Sequence, residues 1–180
     1  MTATTTTQER TGIATGRGKP LTLLGPELKV GDTAPEVHLS AADLSIKTLD
    51  DLTDHGKRAA LLIVVPSLDT PTCSIESQTF NQRISELRDV KPYIVSVDLP
   101  FAMTRWAAGV EGFKIDVLSD YRDHRFGYDY GVRIKETGLL MRSNFLIGAD
   151  RKLKYVEIVK EISEQPDYDE VIKAAQAIAK

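Results

Sequence analysis

The sequence predicts a layered α/β domain, and three observations lead to this prediction. Continuous apolar runs such as residues 59–65 are typical of strands that are covered on both faces. Segments with helical periodicity alternate with these runs, which favours an α/β arrangement. A chain of 180 residues with 42% hydrophobic and 27% charged residues has the length and composition of one ordinary globular domain.

The N-terminal segment divides into a tail and a hairpin. Residues 1–18 are rich in Thr and Gly and contain few large apolar side chains, so we expect a flexible tail. Residues 19–180 form the predicted domain. Two short extended pieces around Gly25-Pro26, in PLTLLGPELKVGD, predict an N-terminal hairpin, and the alternation of PEVHLSA predicts a further strand.

A strand, helix, strand crossover occupies the middle of the chain. AALLIVVPS predicts a central strand that stops at Pro66, and PYIVSVD predicts a second strand of the same kind. Between them, five side chains recur at spacings of four and three and therefore share one helical face. These side chains are Cys73, Ser77, Phe80, Ile84 and Leu87.

The C-terminal segment predicts a strand pair followed by a helix. SNFLIGADRKLKYVEIV contains two apolar runs around a turn at residues 148–151, which favours an antiparallel pair. Asp167 is placed to cap the last helix, with Glu170 three residues later as in a capping box. The apolar face of that helix consists of Tyr168, Val171, Ile172 and Ala175. The complete order of elements predicts a thioredoxin-like fold, a central mixed sheet flanked by helices with an N-terminal β-hairpin extension.

Charge and cysteine content argue against several classes of function. A net charge of −3 gives no broad electrostatic reason to bind nucleic acid or anionic lipid. No segment approaches the roughly 18 apolar residues that span a bilayer, and the N-terminus lacks the pattern of a secretory signal. One cysteine allows no internal disulfide and no paired zinc ligands. We therefore expect a cytoplasmic protein with no nucleic-acid or membrane partner.

The only cysteine lies where the central helix should begin. Thr70 suits the N-cap and Pro71 the first helical position, which places Cys73 in the first turn. Unpaired N–H groups and the positive end of the helix dipole there favour a thiolate over a thiol. The Thr70 hydroxyl, one turn away, can donate to the sulfur. A lone cysteine is more often a small buried hydrophobe than a catalyst, but this context predicts an activated nucleophile.

Four motifs follow one another along the chain. They are PSLDTPTC (66–73), VDLPFAMTRW (97–106), FGYDYGV (126–132) and LLMRSNFLIGAD (139–150). In this order they resemble the peroxidatic motif, the segment before the second catalytic cysteine, the next helix-to-strand connection and the arginine-bearing strand of the bacterial thiol peroxidases, a branch of the peroxiredoxins. With GKPLTL and VGDTAPE near the start, the resemblance runs from about residue 16 to the C-terminus.

The resemblance implies an enzyme that reduces hydroperoxides through a cysteine sulfenic acid. It makes Cys73 the peroxidatic cysteine and Thr70 its hydrogen-bonding partner. It makes Arg142 the cation at the sulfur, and Pro71 would shield the site. From its residue type alone, Arg142 would instead be an exposed edge charge near a carboxylate, and Glu76 is equally compatible with a solvated position and with lining the site. The family also implies a homodimer and no metal or organic cofactor.

One position departs from the family pattern. Atypical two-cysteine members carry a resolving cysteine just after the segment that resembles residues 97–106, and Ala107 occupies that position. A sulfenic acid on Cys73 therefore cannot form an intramolecular disulfide. The chain is either a natural one-cysteine enzyme or carries an introduced Cys-to-Ala replacement. In both cases recycling requires an external reductant, a small-molecule thiol or a thioredoxin-like protein.

Two other functions are compatible with a reactive cysteine. A cysteine hydrolase would pair Cys73 with a histidine base, but none of the three histidines has a context that marks it as a base. These are His38 in a strand pattern, His55 in a polar loop and His124 in a charged segment. A thioredoxin-fold redox sensor or binding module would use Cys73 oxidation to change a protein contact. Such a protein is oxidised without efficient turnover, and the missing resolving cysteine adds weight to this alternative.

Overall fold

The computed structural model describes residues 8–83 and 86–178, which form ten strands and five helices. The strands are β1 (Glu9–Gly16), β2 (Lys19–Leu24), β3 (Leu39–Ser40), β4 (Ile46–Lys47), β5 (Ala59–Val64), β6 (Val90–Ser96), β7 (Asp116–Ser119), β8 (Arg133–Ile134), β9 (Ser143–Ile147) and β10 (Leu153–Ile158). The helices are α1 (Leu49–Leu52), α2 (Pro71–Gln82), α3 (Pro100–Ala108), α4 (Arg125–Asp129) and α5 (Tyr168–Ile178). None of these helices has the length and apolar character needed to cross a membrane.

A mixed seven-stranded sheet forms the centre of the molecule, in the order β10-β9-β5-β6-β7-β3-β4. β5 pairs in parallel with β6 and antiparallel with β9, and all six of its residues are buried. Its side chains alternate between the two faces, so Leu62 and Val64 belong to one hydrophobic core and Leu61 and Ile63 to a second core that also contains Cys73. The predicted fold, with β5 as a central strand covered on both faces, is confirmed.

The N-terminal hairpin lies earlier in the chain than predicted. β1 and β2 form it, joined by a turn at Arg17 and Gly18 with φ angles of 52° and 75°. Positive φ at both central residues is the geometry of the tight turn that suits a twisted hairpin. The predicted hairpin around Gly25-Pro26 is wrong, because the next strand after β2 is β3 and the neighbours of β2 are β1 and β8. Gly25 itself lies so close to the Tyr128 carbonyl that a side chain there would collide with it.

The predicted tail is also wrong where the structure describes it. Residues 9–16 form β1, while residues 1–7 lie outside the described residues. β1 has little apolar surface, which is why its composition suggested a tail. Main-chain pairing with β2 holds it, together with the buried Arg10 side chain, which donates to the carbonyls of Gly25 and Gly131.

The helix that begins at Pro71 is shorter than its predicted apolar face. Cys73, Ser77 and Phe80 are buried on that face as predicted. The helix ends at Gln82, so Leu87 reaches the core from the following loop, and Ile84 lies outside the described residues. The spacing of Leu87 therefore matches the helical pattern only by coincidence.

The remaining predictions are confirmed in outline. β9 and β10 form the antiparallel pair, and Val171, Ile172 and Ala175 are the buried face of α5. The capping box is only half formed, since the Asp167 carboxylate accepts from the Glu170 N–H at 3.1 Å but the Asp167 N–H donates to Glu157. Of the segment PEVHLSA, only β3 is extended strand.

The topology brings two helix starts to one edge of the sheet. Because β5 and β6 are parallel neighbours, their carboxyl ends share an edge, and α2 and α3 follow these ends. The Leu68 N–H donates to the Asp98 carboxylate at 2.8 Å and so ties the two connecting loops together. This edge carries the cysteine.

Candidate active site

Cys73 lies in the first turn of α2 and is fully buried. The helix begins after Thr70, whose backbone is extended, and Pro71 is its first residue. The Thr70 side chain makes no capping hydrogen bond to the helix. The first N–H groups of a helix have no partner within it, so the positive end of α2 is directed toward the region of the sulfur.

The Thr70 hydroxyl faces the sulfur. Its Oγ1 lies 2.8 Å from Cys73 Sγ and 3.0 Å from the Ser67 carbonyl oxygen. A hydroxyl has one hydrogen, so it can donate to the sulfur or to the carbonyl, but not fully to both. The position matches the role that the resemblance implies for Thr70, and it replaces the helix-capping role expected from sequence.

Arg142 immediately precedes β9, and its guanidinium is buried against the cysteine. Its Nη2 lies 3.3 Å from Cys73 Sγ, and its Nη1 donates to the Glu76 carboxylate. The Ile162 carbonyl accepts from Nε at 3.2 Å and from Nη2 at 3.0 Å. Only 1% of the residue is exposed, so the interpretation of Arg142 as an exposed edge charge is wrong.

Glu76 lies one turn beyond Cys73 on α2 and is fully buried. Burial raises the pKa of its carboxyl to about 7, and the charge of Arg142 acts in the opposite direction. Its second oxygen, Oε1, has no hydrogen-bond partner in the part of the chain that the structure describes. The sequence was compatible with a solvated position for Glu76 and with a position that lines the site. The structure places Glu76 in the site, where the Arg142 guanidinium contacts both the Cys73 sulfur and the Glu76 carboxyl group.

Two further groups support the site, and sequence reasoning missed both. The Ile162 carbonyl holds the guanidinium, and the Gln165 side chain donates to the Thr72 carbonyl at 3.1 Å, in the first turn of α2. A backbone carbonyl carries no residue-type signal, and the loop that supplies it lies 20 residues from Arg142. Only the tertiary structure reveals these contacts.

The other two candidate residues are Pro71 and Ala107. Pro71 is exposed at the start of α2. Ala107 is half-buried near the end of α3, where it lines a groove of 540 Å³ with Tyr93, Thr104 and Ile115 among others. In the described structure the hydrogen-bond partners of the Cys73 sulfur are the Thr70 hydroxyl and the Arg142 guanidinium, so the site holds no histidine base for hydrolysis.

The donor set does not resemble a metal centre. Residues 8–83 and 86–178 contain no group of three or more His, Cys, Asp and Glu side chains arranged to hold a metal ion. What the site does contain is a sulfur with two hydrogen-bond donors, the Thr70 hydroxyl and the Arg142 guanidinium. Donors held in this way stabilise negative charge that develops beside the sulfur in a transition state.

Known proteins are similar to this chain in both sequence and fold. A family model described as Redoxin matches residues 29–172. A thiol peroxidase of Clostridium acetobutylicum is 45% identical over 162 residues, which cover 89% of this chain and 96% of that relative. A thiol peroxidase of Halalkalibacterium halodurans is 47% identical over 163 residues, which cover 91% of this chain and 96% of that relative.

Solved structures agree with the sequence relatives. The crystal structure of a peroxiredoxin-like protein from Aquifex aeolicus superimposes with a TM-score of 0.84 at 38% identity, over 96% of this chain and 98% of that one. A thiol peroxidase from Chromobacterium violaceum gives a TM-score of 0.80 over 93% of this chain and 97% of that one, and at 20% identity it supports the fold alone. By sequence and by structure, this chain belongs to the Redoxin family and, within it, to the bacterial thiol peroxidases.

Proposed function

We propose that Cys73 performs the thiol-dependent reduction of hydroperoxides, with Thr70 and Arg142 as its catalytic partners. The observation that carries this proposal is the convergence of two donors on one sulfur, the Thr70 hydroxyl at 2.8 Å and Arg142 Nη2 at 3.3 Å. Both groups stabilise a thiolate, and both are close enough to contact the atom that it attacks. Pro71 shields the site in this proposal.

The chemical step transfers one oxygen atom to the sulfur. The Cys73 thiolate attacks the nearer oxygen of the hydroperoxide, the S–O bond forms and the O–O bond breaks. The departing oxygen leaves with the electron pair of that bond and takes up a proton to give water or an alcohol, and Cys73 becomes a sulfenic acid. Negative charge grows on the departing oxygen, where the Arg142 guanidinium, the Thr70 hydroxyl and the first-turn N–H groups of α2 can stabilise it.

Recycling uses an external thiol in this proposal. The resemblance places Ala107 where two-cysteine members of the family carry their resolving cysteine, and the chain has no other cysteine than Cys73. A first external thiol attacks the sulfenic acid, which releases water and forms a mixed disulfide, and a second thiol returns Cys73 to the reduced state. A small-molecule thiol and a thioredoxin-like protein are both suitable reductants.

We also propose a homodimer in the cytoplasm. Leu99 and Phe101, at the start of α3, are 55% and 64% exposed, and Ile75 of α2 is 56% exposed. Because α2 and α3 begin at the same sheet edge, these apolar side chains lie on the side of the molecule that carries Cys73, and a second copy would bury them. A catalytic thiol without an internal partner suits a reducing compartment.

The first experiment follows the intact mass of the fully reduced protein over time. After addition of stoichiometric hydrogen peroxide or cumene hydroperoxide, we expect Cys73 to gain one oxygen atom much faster than a free cysteine does. Cys73→Ser serves as the control and should gain none. A Cys73 that reacts no faster than free cysteine would overturn the proposal.

A second measurement separates an enzyme from a redox sensor. Peroxide consumption is followed over many equivalents with glutathione or with thioredoxin and its reductase. We expect sustained turnover with one of these reductants. Rapid oxidation without turnover under either reductant would favour the sensor, in which Cys73 changes a protein contact.

A further inference from the structure

We propose that Glu161 is a positioning residue that fastens the N-terminal hairpin to the loop whose carbonyl holds Arg142. The inference rests on the proposed role of Arg142 at the Cys73 sulfur. Glu161 does not touch the sulfur or the guanidinium. It acts through its neighbour Ile162, whose carbonyl accepts two hydrogen bonds from Arg142.

The first link of the chain of contacts joins Ile162 to Arg142. The Ile162 carbonyl oxygen lies 3.2 Å from Nε and 3.0 Å from Nη2. Nη2 is also the atom that lies 3.3 Å from Cys73 Sγ. Because one nitrogen contacts both the carbonyl and the sulfur, a displacement of the loop at Ile162 changes the position of the guanidinium relative to the sulfur.

The second link joins the same loop to the hairpin through the main chain. The Thr15 N–H donates to the Lys160 carbonyl at 2.7 Å, and the Ile162 N–H donates to the Thr15 carbonyl at 2.9 Å. These bonds form a parallel bridge between Thr15 and Glu161. The loop at residues 160–162 therefore takes its position from β1.

The third link is the Glu161 carboxylate, which binds the turn of the hairpin. Its Oε2 accepts from the Thr15 hydroxyl at 2.8 Å and from the Gly18 N–H at 3.1 Å. Its Oε1 accepts from the Arg17 N–H at 3.0 Å and from the Ser163 hydroxyl at 3.0 Å. Successive N–H groups in a turn with positive φ angles form a site for an anion, and here a carboxylate of the same chain fills that site.

The same hydrogen bonds keep Glu161 ionised. The Gly18 N–H and then the Thr15 hydroxyl hold the pKa of the Glu161 carboxyl at about 2. Glu164, three residues further along the same loop, is exposed. Glu164 therefore offers a matched control.

The test compares two reactions of the same thiol. Oxidation of Cys73 by hydrogen peroxide uses donors aimed at the departing oxygen, whereas alkylation by iodoacetamide needs only an accessible thiolate. The ratio of the two rate constants therefore reports how the donors are placed and is insensitive to a general change in thiol reactivity. We expect Glu161→Ala to lower this ratio roughly tenfold, since small displacements of catalytic groups have effects of this order or larger.

Further variants control for charge and for folding. Glu161→Gln, which keeps one acceptor oxygen, should give an intermediate ratio, and Glu164→Ala should leave the ratio unchanged. Thr15→Val removes the hydroxyl that lies 2.8 Å from the Glu161 carboxylate and 3.2 Å from the Lys160 carbonyl oxygen, and it should lower the ratio in the same direction. If Glu161→Ala does not fold, the Thr15→Val ratio decides the question.

The outcomes separate this inference from the proposed function. A wild-type ratio in Glu161→Ala, or an equal fall in both rate constants, overturns the positioning role of Glu161 if Arg142→Lys still lowers the ratio. If Arg142→Lys also leaves the ratio unchanged, the proposed role of Arg142 is wrong and the inference falls with it.

Discussion

At the scale of single residues, a substitution of Thr70 can separate a catalytic role of its hydroxyl from a helix-capping role. It points to the Cys73 sulfur and makes no capping bond to α2. We therefore expect Thr70→Val to lower the rate constant for Cys73 oxidation by about a hundredfold, as for loss of one transition-state donor. The free energy of unfolding should change by less than about 0.5 kcal/mol, as for a substitution of an exposed residue that removes no helix-capping bond.

Stopped-flow oxidation and urea denaturation measure these two quantities. Thr70→Ser keeps the hydroxyl and is the matched control, with an oxidation rate near that of the wild type. A loss of about 1 kcal/mol in stability with an unchanged oxidation rate would show the opposite, that Thr70 serves as a helix cap.

Glu76 makes the stability of the protein dependent on pH. Burial raises the pKa of its carboxyl from 4.5 to about 7 in the folded protein. The folded state therefore holds this proton more tightly than the unfolded state, so the contribution to stability is full below pH 4.5 and is lost as the pH rises through about 7. Glu76→Gln, which is neutral and of the same shape, removes this dependence.

The expected result is a stability difference that changes with pH. Relative to Glu76→Gln, the wild-type protein should lose on the order of 3 kcal/mol of unfolding free energy between pH 5 and pH 8, at about 1.4 kcal/mol per pKa unit. Urea denaturation of both proteins over this range provides the measurement. A stability difference that does not change with pH would mean that the charge of Arg142 lowers the pKa of Glu76 at least as much as burial raises it.

The two charged residues show what residue types can and cannot predict about the site. The position of Cys73 at a helix start follows from Thr70-Pro71 alone, since local capping chemistry sets it. The burial of Arg142 and Glu76 cannot be predicted from local sequence, because charged residues of these types are usually exposed at the surface. Only their pairing, across 66 residues of sequence, makes both of them buried.

At the scale of secondary-structure elements, β1 is the part of the fold that sequence reasoning missed. A chain that lacks residues 1–18 loses the strand that pairs with β2 and exposes Leu21 and Leu23. We expect this truncation to reduce the free energy of unfolding by about 3 kcal/mol, as for partial exposure of two leucines. Urea denaturation gives the value.

The matched control for this truncation removes residues 1–7 only and keeps β1. It should leave the stability closer to that of the full chain than the longer truncation does. Equal stability of the two truncated proteins would show that β1, including its pairing with β2, does not stabilise the fold.

The elements that were predicted correctly share one property, a clear apolar pattern. β5 is a continuous apolar run, β6 and β9 contain the apolar stretches at residues 92–95 and 145–147, and α5 has a clear apolar face. β1 is held mainly by backbone pairing and by the buried Arg10 side chain, which a hydrophobic pattern does not reveal. The end of α2 was misplaced because Leu87 reaches the core from a loop.

At the scale of the whole molecule, the arrangement of α2 and α3 determines whether a cysteine at position 107 could form a disulfide with Cys73. Cys73 lies in the first turn of α2, whereas Ala107 lies near the end of α3, a helix of 9 residues and about 13 Å that begins at the same sheet edge. A disulfide requires Cα atoms within about 7 Å of each other. We therefore expect that a bond between these positions requires the first turn of α2 to unwind.

Ala107→Cys tests this rearrangement. After stoichiometric peroxide, we expect a protein that has lost two hydrogen atoms, with a disulfide between Cys73 and the introduced cysteine, and that thioredoxin reduces. The wild-type protein under the same conditions should instead gain an oxygen atom. Intact mass distinguishes the two products, and oxygen gain in the variant would show that α2 does not open far enough.

The contact between Thr15 and Glu161 also determines when the site can be completed during synthesis. These residues are 146 positions apart, so the ribosome makes the hairpin and the helix of Cys73 long before the loop that carries Ile162. Domains begin to fold while the chain is still growing, but this contact has to wait until residue 161 has been added. A prematurely terminated product that ends before the loop therefore carries the reactive thiol without the carbonyl that fixes its arginine.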